Sequence, residues 1–313
     1  DSRNWDVQEP LATKMEAQRP DQPVFDLMPA KYRHYDYEFE RYWHFFQVWG
    51  RVGYNPDTPA EVWQREFQRR FGAAAPHVEA GLHRASGVLP MIVAAVYPYR
   101  LFPTTRGWAE RQSLGPALAD YAKNEGTDIE QFESFADAAK RILAGGATTK
   151  RTPDATSRWF EAAADTILAS VAQAEAAIGS KRGPEFDATV TDLRILAQLA
   201  RFHARRAIAA VHYNLFKRGL RLAELLAATM QEREAVAAWR GLVAAAGDRY
   251  AFDLAMGARN HSLCGHWRDE LARLETNLKD LEAQCGPQDA AVLQEKAWSP
   301  PTTGDREPPR VTH

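Results

Sequence analysis

A mainly α-helical fold is the expectation from this sequence: an aromatic-rich helical layer, a long antiparallel Ala-rich bundle and an irregular N-terminal arm. Three observations carry it. Apolar residues recur at three-four spacing over most of the 313 residues, the period of one helix face. Two-residue alternation, the mark of a half-buried strand, is almost absent. Alanine dominates the long periodic stretches after Gly145, where it favours helix and lets neighbours approach closely.

The elements follow in chain order. Residues 1–33 hold Pro10, Pro20, Pro23 and Pro29 without a sustained period, and they read as an irregular arm with a short strand near Trp5 to Val7. A helix is expected from about Tyr35 to Val52, with Phe39, Tyr42, Trp43, Phe46 and Trp49 along it. Asn55-Pro56-Asp57 is a turn. Thr58-Pro59-Ala60-Glu61 then supplies an N-cap, a proline at the first helical position and a following acid. The helix it opens carries Val62, Trp63, Phe67 and Phe71, and Gly72 ends it. Another helix occupies much of Ala73 to Ala95, with Pro90 dividing it at Leu89. Thr127-Asp128-Ile129-Glu130 reads as a capping box for a helix holding Phe132, Phe135, Ala138 and Ile142.

Gly145 to Thr149 is a loop, and long helices follow: about Pro153 to Ile178, Pro184 to Lys217, Leu220 to Ala246, and a last one from near Gly257–Trp267 to Ala283. Long helices with short connections are antiparallel neighbours. The chain therefore divides into an arm (1–33), an aromatic-rich region (34–145), a bundle (146–285) and a proline-rich extended tail (286–313).

Charge and motifs exclude several classes. The 39 Lys and Arg nearly balance 41 Asp and Glu, for a net charge of -2, so no general attraction for nucleic acid or an anionic surface arises. No run of about 18 apolar residues marks a transmembrane helix. Cys264 and Cys285 cannot make a disulfide framework, and no required bridge is expected. Among nine histidines, only His261 and His266 flanking Cys264 resemble a ligand cluster, and they lack a zinc module's repeated cysteines. HExxH, GxSxG and the phosphate-binding glycine loop are absent. Neither a metal nor a cofactor is expected. The basic stripes Arg201, Arg205, Arg206 and Arg65, Arg69, Arg70 read as interhelical ion-pair networks.

The richest segment runs from Lys31 to Tyr54. Aromatic rings stand among Arg33, Asp36, Glu38, Glu40, Arg41 and Arg51. Such a mixture suits sugars, because a pyranose face stacks on a ring while charged groups hold its hydroxyls. Arg33, Asp36, Tyr42 and Trp43 are the candidate substrate contacts. A core helix needing large aromatics is the plainer reading of the same residues. Glycosidic cleavage uses paired carboxylates. Asp6 and Glu9 are too local to establish such a pair, and Asp36 and Glu38 are alternatives of similar standing.

The stretch YDYEFERYWHFFQVWGRVGYNPDTPAEVWQREFQRRFG, with Ser86-Gly87-Val88-Leu89-Pro90 and Gly265-His266-Trp267-Arg268-Asp269-Glu270, carries a family resemblance. It resembles the helical region that follows the TIM-like catalytic barrel in bacterial polysaccharide-degrading glycoside hydrolases, over about Trp5 to Pro90 and Gly257 to Leu281. That resemblance implies cleavage of glycosidic bonds in polysaccharides rich in uronic acids or sulfated sugars, with catalytic acids at the carboxyl ends of barrel strands. It implies that residues 1–15 end an upstream barrel region of the same enzyme, a partner for this chain, and places Glu9, the catalytic candidate, near a substrate cleft without assigning it the catalytic role. The alternative is a non-catalytic helical interaction or scaffolding module. Location is left open, with the periplasm or the exterior as the expectation.

Overall fold

The computed structural model describes residues 28–96, 117–219, 221–252, 254–255 and 264–285. Eleven α-helices, three short 3-10 helices and one two-stranded antiparallel pair make up the named elements among the described residues. The long helices α8 (Pro153–Ala177), α9 (Pro184–Gly219) and α10 (Leu222–Ala246) pack in succession, α9 lying between its two neighbours. Helix α11 (Trp267–Gln284) packs on α10, and α4 (Ala75–Ala85) packs on α8.

Helix α9 is central because apolar residues cover most of its circumference, leaving one narrow polar stripe through Arg194, Gln198, Arg201 and Arg205. Phe186, Ala188, Leu193, Ala197, Ala200, Phe202, Ala204, Ala207 and Ala210 point around its circumference, and all are buried. A helix whose apolar residues span so wide an arc belongs inside a bundle. Fully enclosed Ala163, Ala164, Ala197 and Ala200 let the axes of α8 and α9 approach. One core runs from Phe67 and Phe71 through Tyr121, Phe135, Phe160 and Ile167 to Leu225. A second gathers Met28, Tyr35, Phe202, Trp239, Tyr250 and Leu274 on the other side of α9.

Local chemistry explains the helix ends. Thr152 accepts a hydrogen bond from the Ala155 amide, and Pro153 takes the first helical position of α8, where its missing N–H costs nothing. Gly145 ends α7 (Phe135–Ala144) in the left-handed region, with φ 64°. At α11 the cap is His266: its Nδ1 accepts from the Arg268 amide at 3.2 Å, while Asp269 accepts from the His266 amide at 2.8 Å. Of the two histidines flanking Cys264, His266 thus starts a helix. The strand residues Cys264–Gly265 (β2) pair antiparallel with Leu254–Ala255 (β1).

Four sequence expectations are corrected. The aromatic helix is two pieces, α1 (Glu38–Arg41) and α2 (Trp43–Tyr54), broken at Tyr42. The Glu40 carboxylate accepts from the Asp36 and Tyr37 amides, which fixes the start of α1, and the break sends Arg41 and Trp43 to different partners. Thr58 does not cap α3 (Glu61–Phe71). Its hydroxyl donates upstream, to the carbonyls of Arg51 and Asn55, and Ala60 sits at the cap position.

The break between α4 and α5 (Val88–Ala95) falls at Ser86–Gly87 rather than at Leu89. Pro90 is the third residue of α5, inside the first turn, where no intrahelical donor is needed. Finally, Thr127 to Glu130 opens no helix. The Thr127 and Asp128 amides donate to the Val93 and Ala94 carbonyls, so this segment caps the end of α5. Ser134 accepts from Asp137 and caps α7 instead.

Cys285 is a free, buried thiol beside the Thr229 hydroxyl. The stripe on α9 forms the interhelical ion pairs expected of it. Arg201 meets Asp165 and Arg205 meets Glu161, both at 2.8 Å, and Arg206 meets Glu232 at 3.1 Å. In the other stripe the expectation holds for Arg70, which reaches Glu185 on α9 at 2.7 Å; Arg69 and Arg70 also pair with Glu66 inside α3, and Arg65 donates to the Glu61 carbonyl of the same helix. No described helix is long and apolar enough to cross a membrane.

Candidate functional site

A cleft of about 120 Å³ lies where the approach to α2 meets the first turns of α9. Its wall on one side is His34, Arg41, Tyr42, Trp43 and His44. Opposite stand Glu185, Ala188, Thr189 and Asp192. The spacing of those four places them on one face of α9. Phe71 and Leu82 close the apolar end.

Most of its charges are held by a partner. The Arg41 Nη2 donates to Asp192 Oδ2 at 3.3 Å and to the Tyr250 hydroxyl at 2.9 Å, and that hydroxyl donates to Asp192 Oδ1. Burial, with the adjacent Asp192 carboxylate, pushes the Tyr250 hydroxyl well above its ordinary pKa, so it stays a donor. Glu185 accepts from Arg70 at 2.7 Å. The same guanidinium lies 4.6 Å from the centre of the Trp43 ring, and the Phe67 ring meets Trp43 edge-on at 4.9 Å. Trp43 is therefore held in place by a cation and an aromatic edge.

Several polar atoms here are enclosed yet unpartnered: His34 Nδ1, Arg41 Nη1 and His44 Nδ1. Enclosed polar groups normally find partners, so three such atoms on the residues of one cleft leave hydrogen-bonding capacity unused beside it. The acids Glu185 and Asp192 accept hydroxyl hydrogens, and Arg41 donates. The chemistry available is recognition of hydroxyl groups beside an aromatic surface. Among the described residues no three His, Cys, Asp or Glu side chains form a metal-holding set.

The site carries a pH signature. Burial, and then the neighbouring His83, lower the His44 pKa to about 4. A histidine with a depressed folded pKa contributes stability that is complete above its unfolded value near about 6.5 and is lost as pH falls toward 4. Because His44 is half-buried, solvent screening reduces this to about 1–2 kcal/mol. Between pH 7 and pH 4.5, His44→Gln is expected to lose less thermal stability than wild type. Equal losses in the two proteins, followed by calorimetry, would remove His44 as the sensing group.

No protein-family model matches the chain, and no curated protein matches it. A solved structure does: a GH138 enzyme targeting pectin rhamnogalacturonan II, superposing with a TM-score of 0.65 at 15% identity over 79% of this chain. The chain shares its fold with part of that glycoside hydrolase. The match spans 38% of the enzyme's own length, so the common fold is a region of it.

Of the residues singled out in the sequence, Tyr42 and Trp43 line the cleft. Arg33 and Asp36 are exposed residues outside its lining. Glu9 and Asp6 lie outside the described residues, as do residues 286–313. Sequence reasoning missed His34, Arg41, His44, Glu185 and Asp192. One signal for the last two was present: acids at positions 185 and 192, one helix face apart by two turns, on an otherwise Ala-rich helix.

Proposed function

We propose that this chain is a helical region of a glycoside hydrolase acting on an acidic or sulfated polysaccharide, and that it contributes substrate contacts from the cleft beside α2. The observation that carries this is the conjunction of a fold shared with part of a pectin-directed enzyme and a cleft that combines Trp43 and Tyr42 with unpartnered polar atoms. In this reading Tyr42 and Trp43 present rings to a sugar face, and Arg41, Glu185 and Asp192 meet hydroxyl groups. Arg33, exposed on the approach, pairs with a carboxylate or sulfate through its planar fork, and Asp36 accepts from nearby hydroxyls. Glu9 is the candidate acid for bond cleavage, with an upstream barrel supplying the rest of the reaction centre.

Titration calorimetry of the chain against acidic and neutral oligosaccharides tests it. Acidic oligomers are expected to bind, and Arg33→Ala is expected to weaken them by roughly tenfold with the thermal midpoint nearly unchanged. If wild type binds neither class at millimolar concentration, the binding proposal fails for this chain. Unchanged affinity in Arg33→Ala would misplace the acidic subsite.

A second reading, a non-catalytic interaction module, rests on a different feature. A groove of about 1150 Å³ runs among α7, α8, α9 and α10, floored by Ile142, Ile208, Val211 and Leu215. Absence of any sugar binding would favour that reading.

A further inference from the structure

Beside the cleft two histidines meet. His44, in the first turn of α2, and His83, in the last turn of α4, bring their Nε2 atoms to 3.3 Å. Their rings lie 5.4 Å apart and 26° from parallel. On its other side His44 is braced by the Phe67 ring at 4.8 Å. Both imidazoles therefore sit on helices, and one of them is locked by packing.

We propose that His44 and His83 form a bidentate site for a first-row transition-metal ion, copper(II) foremost. Two imidazole nitrogens each about 2.0–2.1 Å from an ion stand about 3.3 Å apart in a tetrahedral site and about 2.9 Å apart at the right angle of a tetragonal copper(II) site; the 3.3 Å found here fits the first directly and reaches the second with a small shift of the exposed His83 ring. Imidazole suits copper, nickel and zinc. Without the ion, one Nε2–H donates to the other Nε2. Binding requires that ring to carry its proton on Nδ1 instead, so the exchange moves a proton within one imidazole and releases none. The described residues add no third protein ligand, which leaves the remaining positions to water or to oxygen atoms of a ligand. His83 is exposed, so an ion reaches the pair from solvent.

The test uses copper(II), nickel(II) and zinc(II) salts alone, titrated into the full chain by calorimetry with a weak competing chelator. One equivalent is expected to bind, tightest for copper(II) in the Irving–Williams order. His83→Ala, on an exposed position, is expected to leave the thermal midpoint unchanged and to weaken the metal by roughly tenfold or more. His44→Gln is expected to do the same to affinity. His77→Ala, elsewhere on α4, is expected to change nothing. If His83→Ala alters folding, His83→Asn with an unaltered midpoint replaces it. No saturable binding, or binding that survives both substitutions at the pair, would reduce the contact to a hydrogen bond and overturn the site. Sugar binding is measured separately, so failure of either proposal leaves the other standing.

Discussion

Replacing Arg206 with alanine is expected to lower the thermal midpoint by roughly 10 °C, the largest effect of any substitution considered, from a loss of about 3–5 kcal/mol. Arg206 is wholly enclosed, and its partner Glu232 is 2% exposed. The guanidinium donates to the Glu232 carboxylate at 3.1 Å and lies over the rings of Tyr121 and Phe202 at 4.8 and 5.1 Å. Removing it strands a carboxylate in the middle of the bundle and opens a cavity beside two aromatic rings. Replacing both partners together, Arg206→Met with Glu232→Leu, is expected to cost much less, because no unpaired charge remains.

The same pair sets a pH dependence with a definite sign. Burial raises the Glu232 pKa, and Arg206 opposes that rise. A carboxyl with a raised folded pKa binds more protons when folded. Its contribution is complete below the unfolded value near about 4.3 and is lost as pH climbs through the folded value. Arg206→Ala removes the opposing cation, so the variant's deficit relative to wild type is expected to shrink as pH falls from 7 to 5. Thermal midpoints of both proteins across that range measure it. A deficit that grows on acidification would contradict the assignment.

Arg41→Ala is expected to have the next largest effect, about 2–3 kcal/mol once the partial exposure of Asp192 is allowed for. Side-chain exposures of 12% for Arg41 and 34% for Asp192 set that discount. Arg41 links the approach to α2 with Asp192 on α9 and Tyr250 beyond α10. Its loss frees that wall of the cleft and leaves the Asp192–Tyr250 pair without its cation. Oligosaccharide affinity is expected to fall along with stability. Tyr250→Phe separates the two contributions. It removes the hydroxyl bridge while leaving the Arg41 cation against Asp192, so it is expected to cost stability while retaining most affinity. Loss of binding in Tyr250→Phe equal to that in Arg41→Ala would show that only the folded shape matters.

The long helices were legible because their burial leaves a periodic record. Pro153 and Gly145 marked ends, and the predicted spans of the helices that became α8, α9 and α10 lie within a few residues of those observed. Caps were harder to read. Thr58 and Thr127 carry the right residue types for helix starts, yet Thr58 is used by Arg51 and Asn55, and the Thr127 segment by the end of α5. A hydroxyl or amide bonds whichever acceptor the packed chain brings nearest, and spacing along the sequence does not name that acceptor.

The site divides in the same way. Sequence alone determined the helical class, the crowding of rings and charges between Lys31 and Tyr54, and the choice of Tyr42 and Trp43, because these depend on local residue type and period. Only the tertiary structure decided that Arg41 rather than Arg33 lines the cleft, that Glu185 and Asp192 supply its far wall, and that His44 faces His83. Those partners lie 39 to 151 residues apart. Their meeting is set by how α2 and α4 dock against α8 and α9, a packing of whole helix faces that no local window of sequence contains.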